Sequence, residues 1–261
     1  MKKVFKFFQT LFKSSFAIIL FLLLWEICGR LGFLVNPLFL PPFSKVLKAL
    51  FQIAASGKLW QHLSISLWRS LSGFTLGMLV AVPLGLTIGW FKGLGAFLNP
   101  LLQLFRNMPT LALLPVFVMF FGIGEFSKTM VILWGVLWAT LLNTVSGVRN
   151  VDPQLIKAAR SMGVGPLRLF WTVVLPASLP YIFAGMRISA TVSILILIAA
   201  EMMGANKGLG YALFFYQSNF KVAEMYAMLV VMALLGVTLN FALEKVEKRN
   251  FRWRDGAGKN E

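Results

Sequence analysis

Apolar, almost uncharged runs about 20 residues long return along nearly the whole chain, and this feature restricts the fold more than any motif does. A helix of that length crosses a hydrocarbon layer about 30 Å thick. In lipid every backbone N–H and C=O must find its partner within the protein, so runs of this length form helices, whereas a membrane barrel shows short alternating strands. The runs lie near 15–35, 69–90, 99–122, 127–148, 181–203 and 223–243. They predict an all-α, polytopic membrane protein with about six transmembrane helices, a single membrane domain over residues 1–261. Composition agrees. The chain is 58% hydrophobic and 13% charged, with mean hydropathy +0.79, where a soluble domain carries about 25% charged residues. That leaves no room for a soluble catalytic domain.

The net charge of +16 does not describe a nucleic-acid surface, because the basic residues fall in short segments between the apolar runs. They act as topology signals. With the N-terminus inside, fifteen of the 25 Lys and Arg fall on the cytoplasmic side: four before residue 14, Lys92, four from Arg149 to Arg168, and six from Lys245 to Lys259. Six fall on the opposite side. Both termini are therefore expected in the cytoplasm of a cell-membrane protein, with residues 1–14 and 244–261 cytoplasmic, 36–68 external and 149–180 a cytoplasmic loop. The basic N-terminus before Phe16 imitates a signal peptide, but no small-residue cleavage site follows, so an uncleaved first helix is expected. The basic stretch from Lys245 to Arg254 suits contact with anionic membrane lipid. Cys28 is the one cysteine and His62 the one histidine, which excludes a disulfide framework and a Cys/His metal site.

Two connecting segments are patterned. Pro37, Pro41 and Pro42 precede Ser44, read as the N-cap of a short helix near Lys45 to Ala55. In the long cytoplasmic loop, Asp152 before Pro153 reads as an N-cap followed by proline at the first helical position, and Gly163 reads as a helix stop. Gly165 and Pro166 start a second helix through Leu169, Phe170 and Val173, which Leu175 and Pro176 are expected to end. A helix, glycine turn, helix knob on a chain without a nucleotide site suits the docking of a soluble partner. An ordinary structured loop between two spans is the alternative. The one imitation of a phosphate-binding loop, Gly122 to Thr129, has Ser127 in place of its second glycine.

This loop resembles the "EAA" signature of binding-protein-dependent ABC permeases, E-A-A, three residues, G, nine residues, I, one residue, L-P. Ala158, Ala159, Gly163, Leu175 and Pro176 match it, Val173 replaces the isoleucine, and Lys157 stands where the pattern has glutamate. Leu40-Pro41-Pro42-Phe43-Ser44-Lys45-Val46 and Ala200-Glu201 with Gly204-Ala205 and Gly208-Leu209-Gly210-Tyr211 are similar to segments of the branch that transports sulfonates, taurine and nitrate. The resemblance implies a type I ABC importer permease fold and a paired permease core, a homodimer or a pair with a second permease. It also implies a pair of cytoplasmic ATPase subunits that carry the ATP and Mg, and an external solute-binding protein. This chain would then bind no cofactor and be no enzyme. Coupling to the ATPase would fall to Lys157, Ala158, Ala159, Gly163, Val164, Gly165, Leu175 and Pro176. The solute would be a small oxyanion such as a sulfonate, taurine or nitrate, or alternatively a thiamine-precursor-like heterocycle.

Gly73, Gly77, Ala81, Gly85, Gly89 and Gly93 recur every four residues, a small-residue ridge that serves either a seam within the chain or a dimer or gate surface. Pro83, Pro109 and Pro115 are expected to kink their helices. Glu26 and Arg30, four apart, are expected to pair. Glu201, Gly204 and Arg187 are candidates for the translocation path or gate, with a structural hydrogen-bonding role the alternative for Glu201 and snorkelling to the interface the alternative for Arg187. An ion-coupled secondary carrier would need more mid-membrane carboxylates or histidines than Glu26 and Glu201 supply. An intramembrane enzyme would need a nucleophile, acid pair or metal set that these residues do not furnish.

Overall fold

The computed structural model describes residues 2–31 and 39–250, with side chains over 16–31 and 39–247. Asn36, Pro37 and the basic tail beyond Asn250 lie outside the described residues. Among the described residues every regular element is helical: α1 (Lys2–Leu31), α2 (Phe43–Ala55), α3 (Lys58–Trp90), α4 (Lys92–Arg106), a 3-10 turn (Thr110–Leu113), α5 (Leu114–Phe121), α6 (Glu125–Arg149), α7 (Pro153–Ser161), α8 (Pro166–Leu169), a π turn (Phe170–Val174), α9 (Leu175–Gly204), α10 (Leu209–Ser218) and α11 (Val222–Asn250). Four described runs, α3, α6, Pro166–Gly204 and Val222–Glu247, are long and apolar enough to cross a membrane, and a fifth counts if the bent α4–α5 pair is one span. α1 carries the first apolar run of the sequence.

The chain divides into two compact units, residues 1–62 with 212–232, and residues 63–211 with 233–261. In the first, Trp25 organises the packing. Its indole N–H donates to the Pro41 carbonyl at 3.1 Å, and its ring lies against Phe21, Phe43 and Tyr226. Gly29 lets Pro42 approach α1; a Cβ there would lie 2.7 Å from the proline backbone. Glu26 pairs with Arg30 at 2.6 Å, as its spacing predicts, and also accepts from the Ser44 amide at 2.8 Å and hydroxyl at 2.9 Å. Ser44 is therefore not the cap of α2. The helix begins at Phe43 after Pro42, and the Glu26 carboxylate satisfies an amide of its first turn.

In the second unit α6 is the central helix. Its neighbour α3 presents the small-residue ridge to it at a constant register: a Cβ on Gly73, Gly77, Gly85 or Gly89 would lie 2.6 to 2.7 Å from Ile132, Val136, Thr144 or Val148. The ridge from Gly73 to Gly89 is thus a seam within the chain. Gly93 lies beyond it in α4, with open space around it. On its other side α6 meets α9, where Gly147 faces Tyr181 and Gly185 faces Asn143. Ser189 donates to the Val136 carbonyl at 2.9 Å and shares a 2.8 Å hydrogen bond with Thr140. Small residues and buried hydroxyls are what bring helices together where lipid provides no hydrophobic drive for helix–helix association.

Two expectations are corrected. The third span is not one kinked helix: α4 and the Thr110–Phe121 stretch meet at 84°. Pro109 has no N–H for a helix to use and disfavours a helical Met108, so the chain breaks there. Pro115 falls in the first turn of α5, where a missing N–H costs nothing. Likewise Leu175 and Pro176 do not end the second loop helix, because Pro166–Gly204 is helical throughout. The π turn at Phe170–Val174 widens the backbone just before Pro176, relieving the ring's clash with the preceding turn. The fifth span therefore begins in the loop itself.

Candidate functional site

Both ends of α7 are capped locally. Asp152 Oδ1 accepts the Gln154 amide at 2.8 Å, and Pro153 fills the first helical position of α7. At the other end Gly163, with φ +75°, closes the helix as the sequence predicts. Its amide donates to the Arg160 carbonyl at 2.9 Å, and the Val164 amide reaches back to Ala159 at 3.2 Å. This pair of bonds is a Schellman closure, and its left-handed residue favours glycine. Gly165 then caps α8 with Pro166 in the first turn.

α7 presents two faces. Leu155, Ala158 and Met162 are exposed, whereas Ala159 is buried against the chain. Gly163 and Gly165 are exposed and Val164 is half-buried. Lys157 lies on the other flank, where it borders a cleft of about 800 Å³ with Lys92, Arg149 and Arg160. Leu175 and Pro176 form the first turn of α9, past the π turn. The motif is therefore one continuous structural unit but not one surface.

At the far end of α9, Glu201 is fully buried. Arg69, 3% exposed, donates Nη1 to Glu201 Oε1 at 2.7 Å and to the Lys207 carbonyl at 2.7 Å. Its Nε and Nη2 donate to Glu125, with Nη2 to Oε1 at 2.6 Å. Ser66 Oγ donates to Glu201 at 2.8 Å, and the Gly210 amide donates to Oε2 at 2.8 Å. Gly208, at φ +127°, gives the carboxylate its room, since a Cβ there would collide with it. One guanidinium thus joins α3, the start of α6, the end of α9 and the turn before α10. Gly204 borders a shallow cleft beside this network with Trp68, Lys128 and Lys207. Arg187 lies elsewhere on α9, half-exposed and paired with Glu247 at 3.1 Å.

Sequence reasoning missed the part of Arg69 and Glu125. The available signal was the expense of ionisable groups in spans: a buried acid such as Glu201 requires a cation, and Arg69 opens the second apolar run.

The described residues, all helical where regular, with several helices long and apolar enough to span and a capped loop helix, define the class as a polytopic helical membrane protein. The family of binding-protein-dependent transport system inner membrane components matches residues 73–252, and the chain belongs to it. Among its relatives, the putative aliphatic sulfonates transport permease protein SsuC of Escherichia coli is 34% identical over 229 residues, covering 88% of this chain and 87% of the relative. The taurine transport system permease protein TauC of the same organism is 34% identical over 225 residues, 84% of this chain and 82% of the relative. In structure the chain is similar to a chain of the MetNI methionine ABC transporter in an inward-facing conformation, with TM-score 0.66 and 20% identity, covering 73% of this chain and 95% of that one. That likeness establishes the type I ABC importer permease fold.

Proposed function

We propose that this permease couples to a separate cytoplasmic ATPase pair through α7 and passes a small oxyanion, a sulfonate, taurine or nitrate, from an external binding protein to the cytoplasm. Both termini face the cytoplasm, and two copies of the chain form the pathway. The observation that supports this best is mechanical. The capped α7 joins, through one glycine turn, a continuous 39-residue helix from Pro166 to Gly204 that ends at the Arg69–Glu201 network. At about 1.5 Å per residue this lever is nearly 60 Å long. Displacement of α7 by a nucleotide-driven partner therefore has a continuous helical route from the glycine turn to the far end of that helix. Gly204 and Arg187 stand along this lever, which is why they remain pathway candidates.

The relatives' names, aliphatic sulfonates and taurine, support the solute class. A secondary carrier is disfavoured because its two carboxylate candidates are committed: Glu26 to Arg30 and Ser44, Glu201 to Arg69 and Ser66.

The test uses the exposed face of α7. Ala158→Asp and Gly163→Val, assayed for co-purification with the partner ATPase and for uptake of taurine and an alkanesulfonate, are expected to lose both. Gly163→Val also forces a branched residue into a left-handed conformation. Normal assembly and uptake in both variants would refute the docking role. Uptake of a thiamine-precursor heterocycle but of no oxyanion would refute the solute.

A further inference from the structure

The cleft behind α7 is lined by Lys92, Arg149, Lys157 and Arg160 with Asn99, and by no carboxylate. None of these four cations makes an ion pair with a described carboxylate. They converge from four places: the start of α4, the end of α6, and two successive turns of α7. Gly95 contributes by lacking a side chain, since a Cβ there would run into the Arg149 guanidinium, so the cation lies directly over α4. Four positive charges with no ion-pair partner among the described residues, around about 800 Å³, repel one another, and the concave shape focuses their field. A place in the last turn of a helix, where the dipole favours a cation, explains Arg149 and Arg160 and leaves Lys92 and Lys157 unexplained.

A second feature adjoins this one. Trp90 also lines an apolar groove of about 450 Å³ with Leu86, Phe91, Leu167, Phe170 and Trp171. Farther back along α3, Leu84, Val80 and Leu76 are exposed apolar residues, each one turn from the next. A charged chamber and an aromatic groove that share Trp90 as a wall are complementary to a molecule with an anionic head and a hydrocarbon tail, and basic pockets between spans on the cytoplasmic side suit anionic lipid headgroups. We propose that this cleft binds the phosphate headgroup of an anionic phospholipid, with one acyl chain in the Trp90–Trp171 groove. Lys157, at the motif's glutamate position, then completes a lipid site, and the lipid braces α7 against α4 and α6. The proposal rests on the orientation given above, which puts this end of the bundle at the inner leaflet.

The test is lipid binding by the full chain purified in neutral detergent, with neither ATPase nor solute present. Phosphatidylglycerol is expected to bind and raise the thermal midpoint, and phosphatidylcholine is expected not to. Lys157→Gln with Arg160→Gln, both at exposed positions and with retained folding checked by the melting midpoint without lipid, is expected to weaken phosphatidylglycerol binding about 30-fold, the value of two cation contacts near the membrane surface. Arg168→Gln, on the same loop outside the cleft, is expected to leave it unchanged. Trp171→Ala is expected to weaken the lipid but not glycerol phosphate. Equal binding of the two lipids, equal loss in Arg168→Gln, or full competition by inorganic phosphate would overturn the proposal. Uptake assays report on the transport reading separately: a transport-competent complex without lipid preference sinks only this inference, and lipid binding by a chain that supports no uptake sinks only the other.

Discussion

Glu201 and Arg69 show how one buried charge dictates its surroundings. The carboxylate receives Ser66, Arg69 and the Gly210 amide, and Arg69 in turn spends its remaining donors on Glu125 and the Lys207 carbonyl. Removing one partner of such a buried pair leaves the other uncompensated, which costs about 3–5 kcal/mol, whereas replacing both with apolar residues costs far less. Arg69→Met is thus expected to destabilise the permease severely in detergent, and Arg69→Met with Glu201→Met to regain much of the loss. Thermal unfolding of both single variants and the double one checks this. A double variant as unstable as the sum of the singles would show that the two side chains do not act as a pair.

Between elements, the seam between α3 and α6 sets spacing by the absence of side chains. Gly77 and Gly85 each stand where even a Cβ would overlap Val136 or Thr144. Gly77→Leu or Gly85→Leu is expected to cost at least the 1–3 kcal/mol typical of overpacking, while Gly93→Leu, in open space, is expected to be nearly neutral. Expression level and melting midpoint of the three variants discriminate directly, and comparable damage at Gly93 would contradict the assignment of the ridge. Asp152→Ala removes a capping bond from α7 at a cost of about 1 kcal/mol. Because α7 is only nine residues long, that loss is expected to appear as fraying, read by faster proteolysis in the loop.

For the whole molecule, orientation and membrane crossing decide what each end of the bundle meets. Ser56 lies at the end of α2 and Ser161 at the end of α7, both exposed. With Cys28 replaced by serine, Ser56→Cys is expected to react with a membrane-impermeant maleimide on intact cells. Ser161→Cys is expected to react only after permeabilisation. The reverse pattern would invert the topology and, with it, the docking face and the lipid site.

What the chain's residues determined alone is what depends on local chemistry and on the solvent. Apolar runs of spanning length had to become helices, because lipid offers a backbone no other partner. Asp152, Pro153 and Gly163 marked the bounds of α7, since capping and a left-handed turn are matters of a few neighbouring residues. Glu26 and Arg30 pair because they are one turn apart. Tertiary structure decided the rest. Whether the glycine ridge met α6 or another chain, which cation answered Glu201, which residue capped α2, and whether Pro176 ended a helix or followed a π turn all depend on groups distant in sequence. A side chain's partner across a bundle is fixed by packing that no local pattern encodes, so Arg69 and Glu201, 132 residues apart, become a pair only in the folded protein.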